Sequence, residues 1–124
     1  MIWCVRLLIV AICASAVTPP LASAGWAGFA TPSRNIVCNG SDSRIDCVVF
    51  SASRTCQKTW TLKAFGRASV HCYYANIGTE VPVLRYERSV MRSGMRCLSS
   101  RRGLTCTNNA HHGFFLSRRA QRIF

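Results

Sequence analysis

Six cysteines, at Cys38, Cys47, Cys56, Cys72, Cys97 and Cys106, set the tightest limit on how this chain can fold. Cys38 and Cys47 stand nine positions apart, and so do Cys97 and Cys106. If each pair lies directly opposite across a hairpin, the tips fall at Asp42-Ser43 and at Arg101-Arg102. Both tips are polar, with Gly40 and Gly103 nearby to accept a bulge or a positive φ. Directly opposed residues of a non-hydrogen-bonded antiparallel pair bring their Cα atoms to about 4.5 Å, within reach of a disulfide. Pairing 38 with 47 and 97 with 106 leaves Cys56 for Cys72. Cys47 and Cys56 repeat the same spacing, so a pairing shifted along the chain is the alternative. Closing a ten-residue loop removes about 2.7 kcal/mol of unfolded-chain entropy on the polymer model. Three such links rival the net stability of a small domain, about 5–15 kcal/mol.

An even cysteine count fits an oxidising compartment, and the N-terminus agrees. Residues 1–24 carry one cation, Arg6, before an apolar stretch from Leu7 to Val17. Pro19 and Pro20 break any helix there, and Ala22-Ser23-Ala24 offers the small-x-small pattern of signal-peptidase sites. Together these describe a secretory signal peptide cut between Ala24 and Gly25. The apolar stretch is far shorter than the roughly 20 residues that cross a bilayer, so no transmembrane segment is expected in the mature protein. Cys4 and Cys13 leave with the leader. The expectation is a secreted or periplasmic protein with a single domain over residues 25–124.

After residue 24 no apolar stripe of helical period and useful length occurs. Short runs of strand character alternate with turn signals instead. Asn35–Cys38 and Ile45–Phe50 flank the first polar turn, and Thr59–Phe65 alternates Trp60, Leu62 and Ala64 with polar neighbours. Ala68–Tyr74, Val81–Tyr86, Met95–Leu98, Leu104–Thr107 and Phe114–Leu116 follow. Residues 117–124 read as a last strand or a short helix, and 25–34 as an extended arm pinned by Trp26 and Phe29. The fold class is therefore all-β and mostly antiparallel, a small disulfide-stabilised sheet or barrel. The matching hairpins at the two ends hint at an internal repeat.

The charge balance narrows the partner. The full chain has 16 Lys+Arg against 4 Asp+Glu, and loss of Arg6 with the leader lowers the net charge from +12 to +11. Such a field draws polyanions and repels cations. That disfavours inhibition of the commonly cationic lysozymes. Nearly all the cations are arginine, whose planar fork suits phosphate and carboxylate. Arg85, Arg88, Arg92 and Arg96 recur at three- or four-residue steps. On a helix from Tyr86 to Met95 they would share one face, but Gly94 and the adjacent strand signals oppose that helix. Arg101-Arg102 at a hairpin tip and Arg118, Arg119 and Arg122 near the C-terminus add exposed charge.

Catalytic constellations are scarce. The histidines are His71, His111 and His112. A nuclease reading would use His71 with His111 or His112 as base and acid, and Lys58 or Lys63 to stabilise the phosphorane, but the spacing matches no nuclease signature. Metal-ligand C-x-x-C spacing, a G-x-S-x-G elbow and acids enough for a calcium cage are all missing, so no metal, cofactor or catalytic residue is assigned. The expected role is binding to an anionic envelope surface or polyanion. The alternatives are a secreted ribonuclease-like hydrolase and a structural or protein-interaction module of the envelope.

The chain also resembles a bacterial family of small exported cysteine-rich proteins catalogued only as a domain of unknown function. The likeness rests on Phe29-x-Thr31-Pro32-Ser33-x-Asn35-Ile36-x-Cys38, on Gly103-Leu104-Thr105-Cys106-x-Asn108, and on His112-Gly113-Phe114-Phe115-Leu116-Ser117-Arg118. Arg34 and Glu87 stand where such proteins usually carry glycine, and no aspartate follows Cys72. The resemblance implies a shared disulfide β-fold and no particular activity. Physically, Thr31-Pro32-Ser33 leads an extended chain into the first strand, and Gly113 allows a close backbone approach or a tight turn that delivers an aromatic to the core.

Overall fold

Alternating apolar residues and closely spaced turns give ten short strands in a computed structural model that describes residues 27–52, 56–72, 78 and 80–124. The leader assigned to 1–24 and the anchoring role given to Trp26 lie outside the described residues. The first sheet runs in sequence order through β1 (Gly28–Ala30), β2 (Ile36–Gly40), β3 (Arg44–Val49), β4 (Lys58–Lys63) and β5 (Ser69–Cys72). The second runs through β6 (Ser89–Arg92), β7 (Met95–Ser100), β8 (Gly103–Asn108), β9 (Gly113–Leu116) and β10 (Gln121–Ile123). All the strand pairs are antiparallel. The all-β class, the strand-rich pattern and the absence of a helix over 86–95 follow the sequence; Ser89–Arg92 is a strand and Ser93-Gly94 its turn. The C-terminal residues form a strand, not a helix. No helix among the described residues is long and apolar enough to cross a membrane.

Registers place Cys38 directly opposite Cys47 and Cys97 directly opposite Cys106. Their Cα atoms are 4.1 and 4.0 Å apart, and Cys56 joins Cys72 at 5.6 Å. The pairing is the one that hairpin geometry favours. It also exposes the repeat that sequence identity hides. One rung of the first sheet reads Phe29, Cys38, Cys47, Trp60, Val70. Its counterpart in the second reads Val90, Cys97, Cys106, Phe114, Ile123. Each half is thus a five-strand meander with a disulfide across its second and third strands and an aromatic on the fourth.

The inner faces of both sheets share one core. Ile45, Leu62 and Trp60 from the first sheet cluster with Met95, Leu104, Phe114 and Leu116 from the second, around the two cross-strand disulfides. Three expectations need correction. Thr59 and Thr61 are buried, although alternation put them outside. The first sheet is covered on its other face as well, where Ala30, Val37 and Val48 are also inaccessible, so period two does not mark a solvent side there. Residues 81–86 form no strand: Val83 makes an isolated parallel bridge to Ala30, whose N–H donates to the Pro82 carbonyl at 2.9 Å. Pro82 has no N–H to continue a ladder. Conversely, the arm at 25–34 contributes β1, paired through Phe29 to Cys38.

Two glycines are fixed by contact. A Cβ on Gly113 would strike the Cys106 carbonyl oxygen, and one on Gly103 would strike the Leu116 carbonyl oxygen. Both obstacles are strand backbone, which cannot swing aside. Gly113→Ala is therefore expected to cost about 2–3 kcal/mol with all disulfides intact. Denaturant unfolding under non-oxidising, non-reducing conditions checks this, and a midpoint equal to wild type would contradict the contact.

Candidate functional site: an arginine-lined groove

The strand order divides the turns between two ends of the molecule. At one end lie the turns at 41–43, 64–67, 93–94 and 109–112. This end is closed by internal bonds. Asn108, buried at the end of β8, donates from Nδ2 to the carbonyls of Lys63 at 2.9 Å and Gly66 at 2.8 Å in the other sheet. Its Oδ1 accepts from the backbone N–H groups of Ala110 and His112. Both amide donors and both acceptor positions are thereby used. Arg92 reaches Asp42 here at 2.9 Å.

At the other end lie 31–35, the 3-10 turn Phe50–Ala52, the loop 85–88, and the turns at 101–102 and 117–120. The motif residues from both ends of the chain meet there. Asn35 donates to Ser51 Oγ at 3.0 Å and accepts from the Ser51 N–H at 3.1 Å, and Ser51 Oγ donates to the Arg118 carbonyl of the second sheet. Thr31 N–H donates to the Ile36 carbonyl at 3.0 Å, closing the turn that presents Ser33 and Asn35. Ser117 N–H and Oγ both donate to the Ala120 carbonyl, which tightens the turn carrying Arg118 and Arg119. The loop 85–88 is tied back by Glu87 N–H to the Ser99 carbonyl at 2.8 Å.

These turns enclose an open pocket of about 320 Å³ lined by Arg101, Arg102, Arg118 and Arg119 together with Thr31, Ser33, Asn35, Ser100, Ser117 and Tyr86. The Arg101 guanidinium lies over the Tyr86 ring, 5.2 Å from its centroid. Arg122 lies likewise over Phe115 on the outer face of the second sheet. Among the described residues the ion pairs are Arg44–Asp46 and Arg92–Asp42, and neither includes a groove arginine. Glu87 on the flanking loop makes no ion pair with them, so the gathered guanidinium groups keep a local positive potential that a negative ligand would neutralise.

Of the nine arginines singled out from sequence, the fold brings Arg101, Arg102, Arg118, Arg119 and Arg122 together. Arg85 and Arg88 are exposed on the loop beside Tyr86, at the same end. Arg92 is at the opposite end with Asp42, and Arg96 is exposed on β7 opposite Met91. The histidines are not assembled. His71 is exposed on β5 opposite Thr59, whereas His111 and His112 belong to the β8–β9 turn of the other sheet. Lys58 and Lys63 sit at opposite ends of β4. Sequence reasoning read Thr31-Pro32-Ser33 as an extended entry to the first strand, where the structure makes a turn closed by Arg34 N–H to the Thr31 carbonyl, and did not nominate Asn35, Ser117, Tyr86 or Phe115 as groove residues. Phe115 was findable: of two successive strand residues one must face outward, and Phe114 fills the core.

Among the described residues four non-glycine residues have positive φ: Ser93 (48°) and His111 (62°) in turns at the closed end, and Arg34 and Glu87 at the groove end. Arg34 and Glu87 both adopt the left-handed region, with φ of 59° and 63°. Both positions flank the groove.

The fold and site define a small disulfide-linked all-β domain with two five-strand meanders and a cationic end. The chain belongs to the family of unknown function DUF6636, whose model matches residues 55–124, more than half of the sequence. The matched part contains the entire second sheet with β4 and β5, so the motifs at Gly103–Asn108 and His112–Arg118 fall inside it and the Phe29–Cys38 motif does not. No curated protein and no solved structure matches the chain.

A left-handed non-glycine residue costs about 1–2 kcal/mol, part of which a glycine returns as greater freedom of the unfolded chain. Glu87→Gly is therefore expected to stabilise the domain by about 0.5–1 kcal/mol. A rise in thermal midpoint is the readout; an unchanged or lower midpoint would show that Glu87 makes a compensating contact.

Proposed function

We propose that this protein is an exported, basic binding domain that holds anionic envelope components or polyanions through its arginine groove. One observation carries the reading: four arginines from two separate hairpin turns line a single pocket in which no carboxylate pairs with them. Each turn is held by its own hydrogen bonds, so the cations are placed before a ligand arrives and less entropy is lost on binding. Three disulfides support an oxidising compartment, and the leader-like N-terminus supports export. A binding role accords with the dispersed histidines, since no general acid and base face each other across the groove.

Retention on a heparin resin, and binding to anionic vesicles, should weaken steeply as salt rises. Arg101→Ala/Arg102→Ala should weaken binding about tenfold or more at moderate salt. Arg67→Ala, at the opposite end, should leave it nearly unchanged. Retention that is indifferent to salt, or equal losses from the two ends, would remove the proposal.

A further inference from the structure

A second depression, of about 310 Å³, adjoins the first on the outer face of the second sheet. It is lined by Thr105, Phe115, Ala120 and Arg122, and it shares Ser100 and Arg102 with the first. The shared walls make one groove running from the turn end onto the sheet. Resting on the polyanion reading above, we infer that this groove takes a linear acidic glycan over successive sugar units: a chain rich in hydroxyls and bearing repeated carboxylate, sulfate or phosphate ester groups.

Cation placement favours a chain over a single anion. Arg101, Arg118 and Arg119 serve the first depression, Arg122 the second, and Arg102 stands between them. A ligand with charges at intervals meets all of these; an isolated anion meets one depression.

Hydrogen-bond chemistry favours a sugar. The Ser100 hydroxyl donates to the Gly103 carbonyl at 3.1 Å, Ser117 to Ala120 at 3.0 Å, and Thr31 to Ile36 at 3.4 Å. The Ser117 and Thr31 oxygens also accept from the N–H groups of Ala120 and Ile36, so with those protons committed each hydroxyl oxygen can add only an acceptor contact, while the guanidinium groups can only donate. The complementary ligand accepts from arginine through acid groups and donates to serine and threonine through hydroxyls. Polyphosphate lacks those donors.

The aromatic residues argue against base stacking and against a membrane. Tyr86 and Phe115 each carry an arginine on a ring face, so they orient guanidinium groups and do not offer bare platforms for bases. The site is concave, and the most exposed large apolar side chains, Phe65 and Met91, lie toward the opposite end of the strands.

The test is a titration of the full disulfide-bonded protein with galacturonate monomer, trimer and hexamer, followed by nuclear magnetic resonance and calorimetry. Polyphosphate and poly-uridylate of equal charge, and neutral dextran, serve as comparators. Affinity should rise about tenfold or more from monomer to hexamer. Arg122→Ala should abolish most of that rise, and a near-ultraviolet circular dichroism spectrum like that of wild type reports a folded protein. Equal affinity for monomer and hexamer, a rise that survives Arg122→Ala, or polyphosphate or poly-uridylate binding as tightly as the hexamer would each overturn the glycan groove. Heparin binding that persists in those cases leaves the wider polyanion reading standing. If heparin, vesicles and galacturonates all fail to bind, both fall.

Discussion

Two disulfides, each joining residues that face each other directly across neighbouring strands, hold the centre of both sheets. Cys38–Cys47 and Cys97–Cys106 are fully buried, and the apolar core is built around them. Because side chains alternate across a strand, fixing one pair fixes the face of every residue in its hairpin. Ile36, Ile45 and Val49 must then point inward beside the first bridge, as Met95, Leu104 and Phe114 do beside the second. A register slip of one residue would throw these side chains out and leave the sulfur atoms on opposite faces. The covalent links therefore supply specificity of pairing as well as stability, which matters in a chain whose strands are six residues long at most.

The two halves are then joined differently at each end. Asn108 ties the ends of β4 and β8 through backbone carbonyls, a buried amide with every valence satisfied. Such a group specifies one relative placement of the sheets, because any slide leaves donors unpaired in the interior. At the other end the tie from Ser51 to Arg118 is long, at 3.4 Å, and exposed. Shorter ties at the groove end run from Ala30 N–H to the Pro82 carbonyl at 2.9 Å and from Leu84 N–H to the Ala30 carbonyl at 2.8 Å, and that end keeps open space between its turns.

The hairpins, their tips and all three pairings were legible because spacing, turn composition and disulfide geometry point the same way. Burial on the second face of the first sheet was not legible. Thr59 lies between Lys58 and Trp60 and reads as an outward residue; only the chain that covers it in three dimensions decides otherwise. Val81–Tyr86 was misread for a similar reason, since Val, Leu and Tyr satisfy strand propensity while Pro82 denies the ladder a donor. As for the site, sequence could nominate the clusters 101–102 and 118–119 but not their meeting. They stand seventeen residues apart, on turns of adjacent hairpins, and face the same pocket only because β8 pairs with both β7 and β9. Arg85 to Arg96, which share a period in sequence, are dispersed by a strand and a turn.

The charge arrangement works against the fold, and that is its significance. Guanidinium groups held together without ion-pair partners repel one another in the native state more than in the expanded chain, so they lower stability at modest salt. The left-handed Arg34 and Glu87 beside them add local strain. A cross-link acts on the unfolded ensemble and is indifferent to native-state repulsion, so this domain can carry an unneutralised cationic groove that a core of its size would otherwise support poorly. Relief of that repulsion is then available to whatever binds. On the proposed reading a negative ligand would gain electrostatic energy by pairing with these arginines, and the same ligand should raise the unfolding temperature by mass action on the native state. The groove and the disulfides are on this account two parts of one arrangement, in which covalent closure permits a charge density that noncovalent packing in a small β domain could not hold.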